Sequence, residues 1–443
     1  MALSGIQIYK MLPQTNCKEC GFPTCLAFAM KLAAKQVELS TCPYVSEASK
    51  AQLAESSAPP IRLVTLKGIG TEVKVGNEVC LFRHEKTFYN KTGLFVRVKS
   101  SQSDIAATVA KAEAFKVGYV GMDFSVDGFA VEADEPSKFA DAVKAVRSAS
   151  KRPLILISKD PAVLSAGLAS LAGETPLLVG ADAFNWEALA DLAKTSKAAL
   201  AVSADSLEEL AALTEKIKAK GVDDLVLIPG GKTMGESLAK STQIRRLALK
   251  NFRALGFPIL TFPGDAGSAM RESLFAAQAV TKYAGFVALN EFNPELMYAL
   301  LVLRENIYTD PQKPIQVEPK VYPIGEPTAD SPVFVTTNFS LTYFIVSGEI
   351  ENSGISAWLV IPECEGLSVL TSWAAGKFSG AHIAKFIKES KLEEMVDTRE
   401  ITIPGYVSQI SGELEENLPG WKVMVGPQEA IDLEGYIKAF LIK

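Results

Sequence analysis

Positive charge is in short supply: 45 lysines and arginines stand against 51 aspartates and glutamates, a net charge of −6 at neutral pH. Such a chain has no field to draw in a polyanion, so neither nucleic acid nor an anionic membrane surface is expected as a partner. Long apolar runs are missing too. None reaches the roughly 20 residues that a membrane span needs, and the opening "MALSGIQIYKMLPQTN" has neither the basic flank nor the apolar stretch of a signal peptide. A cytoplasmic location is the expectation. Internal repeats and low-complexity segments are also missing. Cysteine is scarce and uneven, with six in the chain and four of them within the first 42 residues. A secreted disulfide framework would be small and Cys-dense throughout, so these cysteines read as ligands.

What remains is an ordinary globular composition, 48% hydrophobic and 22% charged, spread over 443 residues. That is too long for one core and implies two or three domains. Pro, Ser and Glu displace the apolar periodicity at "AESSAPPIRL" (54–63) and at "QKPIQVEPKVYPIGEPTADSP" (312–332), as linkers do. The expected domains are a thiol-bearing one with its linker over 1–58, a second over 59–315 and a third over 316–443.

In the second segment, Ala- and Lys-rich amphipathic helices alternate with the apolar runs "YVGMDFS" (119–125), "PLILIS" (153–158), "PLLVGA" (176–181), "AALAVSA" (198–204), "DLVLIPG" (224–230), "PILTFPG" (258–264) and "FVALNEF" (286–292). Continuous apolar strands between helices mean a parallel sheet covered on both faces. Adding "EVCLFR" (78–83) or "LFVRVK" (94–99) brings the count to eight or nine, which suits a TIM (β/α)8 barrel better than an open sheet. After 332 the pattern restarts with "VFVTTN", "SAWLVIPE", "ITIPGY" and "WKVMVGP". This predicts a small Rossmann-like α/β domain, with any ligand beyond the carboxyl ends of its strands.

Cys17, Cys20, Cys25 and Cys42 follow the spacing C-x2-C-x4-C-x16-C, and Pro43 comes next. Three thiolates on one tight loop, with a fourth from a distant Cys-Pro pair, suit an iron-sulfur cluster. Structural zinc is the main rival, although its ligand pairs are usually separated by about two to four residues each; plain structural thiols are the third reading. Gly21 can take the left-handed backbone that wraps such a loop, and Pro23 removes one amide that needs a partner. Thr24 is expected to cap a helix with Leu26, Ala29, Met30, Ala33 and Val37 on its buried face. Unbroken from 25 to 39, that helix would rise roughly 20 Å and carry Cys42 away. A break is therefore expected near Ala34 to Gln36. Cys80, in a predicted strand, and Cys364, at a strand end, read as small buried hydrophobes.

The stretch "LPQTNCKECGFPTCLAFAMKLAAKQVELSTCP" (12–43) resembles the cluster domain of the large (gamma) subunits of corrinoid iron-sulfur proteins, which serve the acetyl-CoA decarbonylase/synthase system of carbon fixation. Length and three-part layout agree with that family. The resemblance implies an N-terminal [4Fe-4S] domain ligated by Cys17, Cys20, Cys25 and Cys42, a central TIM barrel, and a C-terminal Rossmann-like domain that binds a cobamide; that the cobamide is base-off is expected from the missing histidine motif described below. It implies a methyl carrier. In this family Co(I) takes a methyl group from methyl-tetrahydrofolate, held by a separate methyltransferase, and passes it to nickel on acetyl-CoA synthase. The implied partners are these two enzymes, a low-potential electron donor, and a small (delta/beta) TIM-barrel subunit in a heterodimer.

If the last domain holds a corrin at its strand ends, the candidate contacts are Thr337, Ser340, Thr342, Val346 and Ser347, then Leu370, Thr371, Ser372, Trp373, Ala374 and Gly376, and finally Tyr406, Gly426 and Pro427. Small and hydroxyl residues allow close approach to a corrin and its amide arms; ordinary loop and cap chemistry accounts for the same residues without a ligand. The Asp-x-His-x-x-Gly motif of methionine-synthase-like cobalamin domains has no counterpart, since His84 lies in "FRHEK" and His382 in "SGAHIAKF". Asp123, Asp160, Asp182, Asn185, Lys232, Asp265, Asn290 and Glu291 are expected to crown the barrel at its strand ends. They are read as helix caps and docking surface. The alternative makes the chain itself a methyl-folate-dependent corrinoid methyltransferase with catalysis in the barrel.

Overall fold

The computed structural model describes residues 5–33, 37, 39–46, 49, 50, 53, 59–119, 122–231, 233–310 and 314–441. The chain divides into two compact units, Met1–Phe115 with Val126–Tyr308, and Lys116–Ser125 with Thr309–Lys443. Among the described residues, no helix is long and apolar enough to cross a membrane.

At the start of the first unit, helix Gly5–Tyr9 packs on helix Cys25–Ala33. Thr24 caps the latter as expected, its Oγ1 accepting the Ala27 N–H at 3.0 Å. The buried face differs from the expected one. Cys25, Phe28 and Ala29 are 6%, 1% and 0% exposed, whereas Leu26 and Met30 are 40% and 49% exposed. Burying Cys25 dictates the rotation, because residues three and four further on follow it inward. The expected break at 34–36 and residues 54–58 of the expected linker lie outside the described residues.

The barrel is closed by eight parallel strands: β3 (Gly93–Lys99), β6 (Gly128–Glu132), β7 (Leu154–Ile157), β8 (Leu177–Ala181), β9 (Ala199–Ser203), β10 (Leu225–Ile228), β11 (Ile259–Thr261) and β12 (Ala284–Leu289), which returns to β3. An antiparallel hairpin, β1 (Val64–Lys67) and β2 (Glu72–Val75), precedes it. Val64, Leu66 and Val75 of the hairpin join the barrel interior beside Phe95 and Phe286. Lys67 exchanges backbone hydrogen bonds with Thr175, just ahead of β8, so the hairpin closes the N-terminal end of the barrel.

Two expected strands are corrected. Residues 119–125 do not enter the barrel; they belong to a small antiparallel hairpin, β4 (Val117–Tyr119) and β5 (Met122–Phe124), and the barrel position is taken by β6. Gly128 is the reason β6 fits there: a Cβ on it would stand 2.3 Å from the Phe95 ring, and only glycine lets that ring fill the interior. Residues 78–83, including Cys80, form an irregular loop instead of a strand. Glu78 holds that loop by accepting the Tyr89 and Asn90 N–H groups at 3.0 and 3.2 Å.

The second unit is built on a five-stranded sheet in the order β13 (Lys320–Ile324), β15 (Ala357–Ile361), β14 (Val333–Val335), β16 (Glu400–Ile403), β17 (Lys422–Val425). The last four strands are mutually parallel and correspond to the four predicted runs; β13 is an antiparallel edge. Side chains alternate between two cores. Val333, Val335, Ile401 and Ile403 face helices Gly380–Glu389 and Ser411–Asn417. Phe334, Leu359 and Ile361 face helices Ser340–Asn352 and Leu433–Phe440. Helices thus cover both faces, and the strand order reverses between β14 and β16. Ligands of open parallel sheets bind beyond the strand ends at such a reversal.

Candidate functional site

The thiol loop is wound by left-handed residues. Gln14, Asn16 and Lys18 have φ of 57°, 51° and 64°, and Gly21 has the expected positive φ, 81°. Cys20, Cys25 and Cys42 are buried in one small core with Ile8, Leu12, Phe28 and Val45, while Cys17 is exposed. The Cys25 N–H donates to Asn16 Oδ1 at 2.8 Å, and the Asn16 N–H donates to Cys25 Sγ at 3.4 Å. Tyr44 reaches across to donate to Glu19 at 2.8 Å, and that bond raises the phenol's pKa. Among the described residues, no three His, Cys, Asp or Glu side chains stand at metal-ligand geometry. What fits a cluster is the donor set: four thiols around one small core, with a backbone N–H aimed at a sulfur.

At the reversal point of the second unit's sheet lies a cavity of about 500 Å³, the size of a small-molecule site. Its floor is the ends of β14, β16 and β17: Val335, Thr336, Thr402, Ile403, Gly426 and Pro427. Its sides come from Thr342, Ile345 and Val346, from Val369 and Leu370, and from Tyr406, Gln428, Glu429 and Ile431. Gly426 presents bare backbone, since a Cβ there would stand 2.9 Å from Thr402 Cγ2. Tyr406 donates to Glu429, the single charged side chain of the lining. A largely neutral ligand with hydrogen-bonding arms matches such walls. Thr336 supports this: it is 1% exposed, and its Oγ1 has no hydrogen-bond partner among the described residues, a state that buried polar groups rarely keep without a ligand or water.

Of the residues singled out in the sequence, Thr342, Val346, Leu370, Tyr406, Gly426 and Pro427 line this cavity. The others do not. Thr337 is fully buried, its Oγ1 likewise without a partner among the described residues. Ser340 opens helix Ser340–Asn352, and Ser347 turns its hydroxyl back to the Phe344 carbonyl at 3.3 Å. Thr371 pairs with the Ser368 hydroxyl at 3.0 Å, Ser372 is buried, and Trp373 is 41% exposed. Ala374 ends helix Val369–Ala374, and Gly376 takes a left-handed turn with φ 70°. Sequence reasoning passed over Thr336, Thr402 and Glu429. The adjacent threonines 336 and 337 carry no signal to tell them apart, because the pleat sends neighbours to opposite faces and only the end of β14 decides which meets the cavity. Neither histidine reaches it: His382 Nε2 lies 2.9 Å from the Glu363 carbonyl oxygen, and His84 stacks on Phe82 at 5.5 Å.

At the barrel's strand ends one cluster of charges is paired. Arg97 donates to Glu132 Oε2 and Oε1 at 2.7 and 2.9 Å and to Asp265 at 3.1 Å. Asp160 caps the next helix through the Ala162 N–H at 2.8 Å. Asp182 accepts the Phe184 N–H, and the Asn185 amide donates to the Lys159 and Gly180 carbonyls. Asn290 donates its backbone N–H to Glu272 at 2.6 Å; Glu272 is 7% exposed and burial raises its pKa. Asp123 sits on the β4–β5 hairpin, which belongs to the other unit, and Lys232 lies outside the described residues.

A closed barrel, a doubly covered parallel sheet with a cavity at its reversal point, and a leading four-thiol segment define a modular α/β protein built to carry ligands. Residues 64–437 match the family model described as CO dehydrogenase/acetyl-CoA synthase delta subunit, and residues 12–44 match one described as a putative Fe-S cluster. A corrinoid/iron-sulfur protein large subunit from Moorella thermoacetica is 44% identical over all of both chains. Gamma subunits of the acetyl-CoA decarbonylase/synthase complex from Methanopyrus kandleri and Archaeoglobus fulgidus are each 35% identical; they cover 98% of this chain, over 97% and 98% of their own lengths. The chain belongs to this family of corrinoid/iron-sulfur large subunits.

Proposed function

We propose that the protein is a corrinoid methyl carrier, with a base-off cobamide at the strand-end cavity of a Rossmann-like C-terminal domain and a [4Fe-4S] cluster on Cys17, Cys20, Cys25 and Cys42. The cavity carries the reading: it combines bare backbone at Gly426, an unpartnered hydroxyl at Thr336 and mostly uncharged walls. Bound cobalt, as Co(I), would supply the nucleophile that takes a methyl group from methyl-tetrahydrofolate on a separate methyltransferase and yields it to nickel on acetyl-CoA synthase. The protein's own part is to hold the cofactor, keep side-chain ligands away from the metal and leave one face open. Thr336 and Thr342 would bond amide arms, and Leu370 and Tyr406 would pack on the macrocycle. The cysteines would hold a cluster that returns electrons from a low-potential donor.

A cavity of about 500 Å³ holds one part of a cobamide. Of the apolar residues that line it, Ile345, Leu370 and Ile431 are 45%, 45% and 76% exposed. A second, small TIM-barrel subunit in a heterodimer is the cover this rim calls for. The ultraviolet–visible spectrum of the purified protein tests the proposal: corrin bands with broad iron-sulfur absorption are expected, and neither would end it. Buried Glu272 at the barrel mouth keeps a second reading in view, catalysis by the barrel itself. Methyl transfer from methyl-folate by this chain alone, with no methyltransferase, would select that reading.

A further inference from the structure

The β4–β5 hairpin is encoded among the barrel strands, between helix Ile105–Ala114 and β6, yet it belongs to the C-terminal unit. Helix-to-strand connections in such folds need only about two to six residues. This one is longer and carries an apolar load. Tyr119 stacks on Phe124 at 5.6 Å, and Phe124 is 6% exposed. Tyr119 and Met122 pack against the core formed by Val317, Tyr322, Ile324, Phe334, Ile350 and Leu433. Two members of that core, Phe334 and Leu433, also line the strand-end cavity, and Val346 of the lining packs against it as well.

We infer that Tyr119 and Met122 are positioning residues for the cavity, because they complete the core from which Phe334 and Leu433 reach its wall. Close-packed cores transmit displacement, so removing two apolar side chains that pack on the core holding Phe334 and Leu433 loosens both at the wall. The coupling is reciprocal: a ligand that needs the ordered wall favours the docked hairpin by the same factor. The chain enters this unit at Lys116 as well as at Thr309, so a C-terminal domain cut at the second point lacks part of its own core. The identity of the ligand rests on the corrinoid reading above; the packing role of the hairpin does not.

The test uses the full chain, as wild type, as the pair Tyr119→Ser/Met122→Ser, and as the conservative pair Tyr119→Phe/Met122→Leu. Without ligand, the serine pair should speed amide exchange in β13, β14 and helix Leu433–Phe440 by about tenfold, leave β8 to β10 of the barrel unchanged, and bind hydroxocobalamin about tenfold more weakly. The conservative pair should match wild type, and hydroxocobalamin should slow exchange of residues 117–124 in wild type. Unchanged exchange in β13 and β14, an equal rise in the barrel strands, or undiminished hydroxocobalamin binding by the serine pair overturns the inference. If wild type binds no corrinoid, the ligand reading fails, and exchange in β14 with and without the hairpin side chains still decides whether the hairpin sets the wall.

Discussion

Asn16 and Cys25 hold each other at the head of the thiol loop, the Cys25 N–H on Asn16 Oδ1 at 2.8 Å and the Asn16 N–H on Cys25 Sγ at 3.4 Å. Asn16 does this from a left-handed backbone, φ 51°, which asparagine tolerates better than most residues. Asn16→Ala therefore loses the acceptor, at about 1 kcal/mol or more, and adds roughly 1–2 kcal/mol of backbone strain. Asn16→Gly loses the acceptor alone. Iron-sulfur absorbance should bleach faster under a chelator in both variants, and faster in the alanine one. Wild-type bleaching in both would show that the pair does not support the cluster.

Cys20→Ala should damage the cluster and leave the barrel and the C-terminal unit folded, because separate cores keep their own stability. In the proposed carrier, moving a methyl cation on and off Co(I) would need no net electron, so the proposed cluster would serve to repair occasional oxidation. With a strong chemical reductant the variant should transfer methyl groups at nearly the normal rate; with a physiological donor it should stall as Co(II). Equal failure under both conditions would make the cluster part of the transfer itself.

Thr336→Val should separate stability from binding. The Oγ1 is buried and has no partner among the described residues, so the ligand-free protein should keep its stability or gain up to about 1 kcal/mol. Corrinoid affinity should fall roughly tenfold if the hydroxyl meets the cofactor. Isothermal titration beside thermal melts reads both, and unchanged affinity removes Thr336 from the site.

Neither histidine lines the cavity, so the Co(II) form should lack an axial nitrogen from the protein. Electron paramagnetic resonance should show no nitrogen superhyperfine splitting, and His382→Ala should leave the spectrum as it is. Splitting that disappears in His382→Ala would mean that the helix from Gly380 rearranges to bring His382 to the metal.

Burial raises the pKa of Glu272 above its ordinary 4.5, against the lowering effect of the Asn290 N–H. The folded protein then binds this proton more tightly than the unfolded chain. Its stabilising contribution is complete below pH 4.5 and is lost as pH rises from there through the raised value. Glu272→Gln keeps an acceptor for Asn290 and should flatten the stability profile across that window. An unchanged slope in denaturant melts would assign the pH dependence to other groups.

The sequence by itself determined what depends on local pattern. The thiol spacing and left-handed Gly21 mark the loop, continuous apolar runs between helices specify a parallel barrel, and the four C-terminal runs specify a parallel sheet, because side-chain periodicity and backbone permissiveness are properties of neighbouring residues. Tertiary structure decided what depends on distant partners. "YVGMDFS" reads as a strand, but β6 closes the barrel because Gly128 makes room for the Phe95 ring across the interior. Burial of Cys25 against Asn16 turned Leu26 and Met30 outward. Thr336 faces the cavity and its neighbour does not, because the register of β14 between β15 and β16 places the strand end there. In each case the deciding contact joins residues beyond the reach of strand or helix periodicity, nine positions apart for Asn16 and Cys25 and farther for the others, and no local pattern carries it.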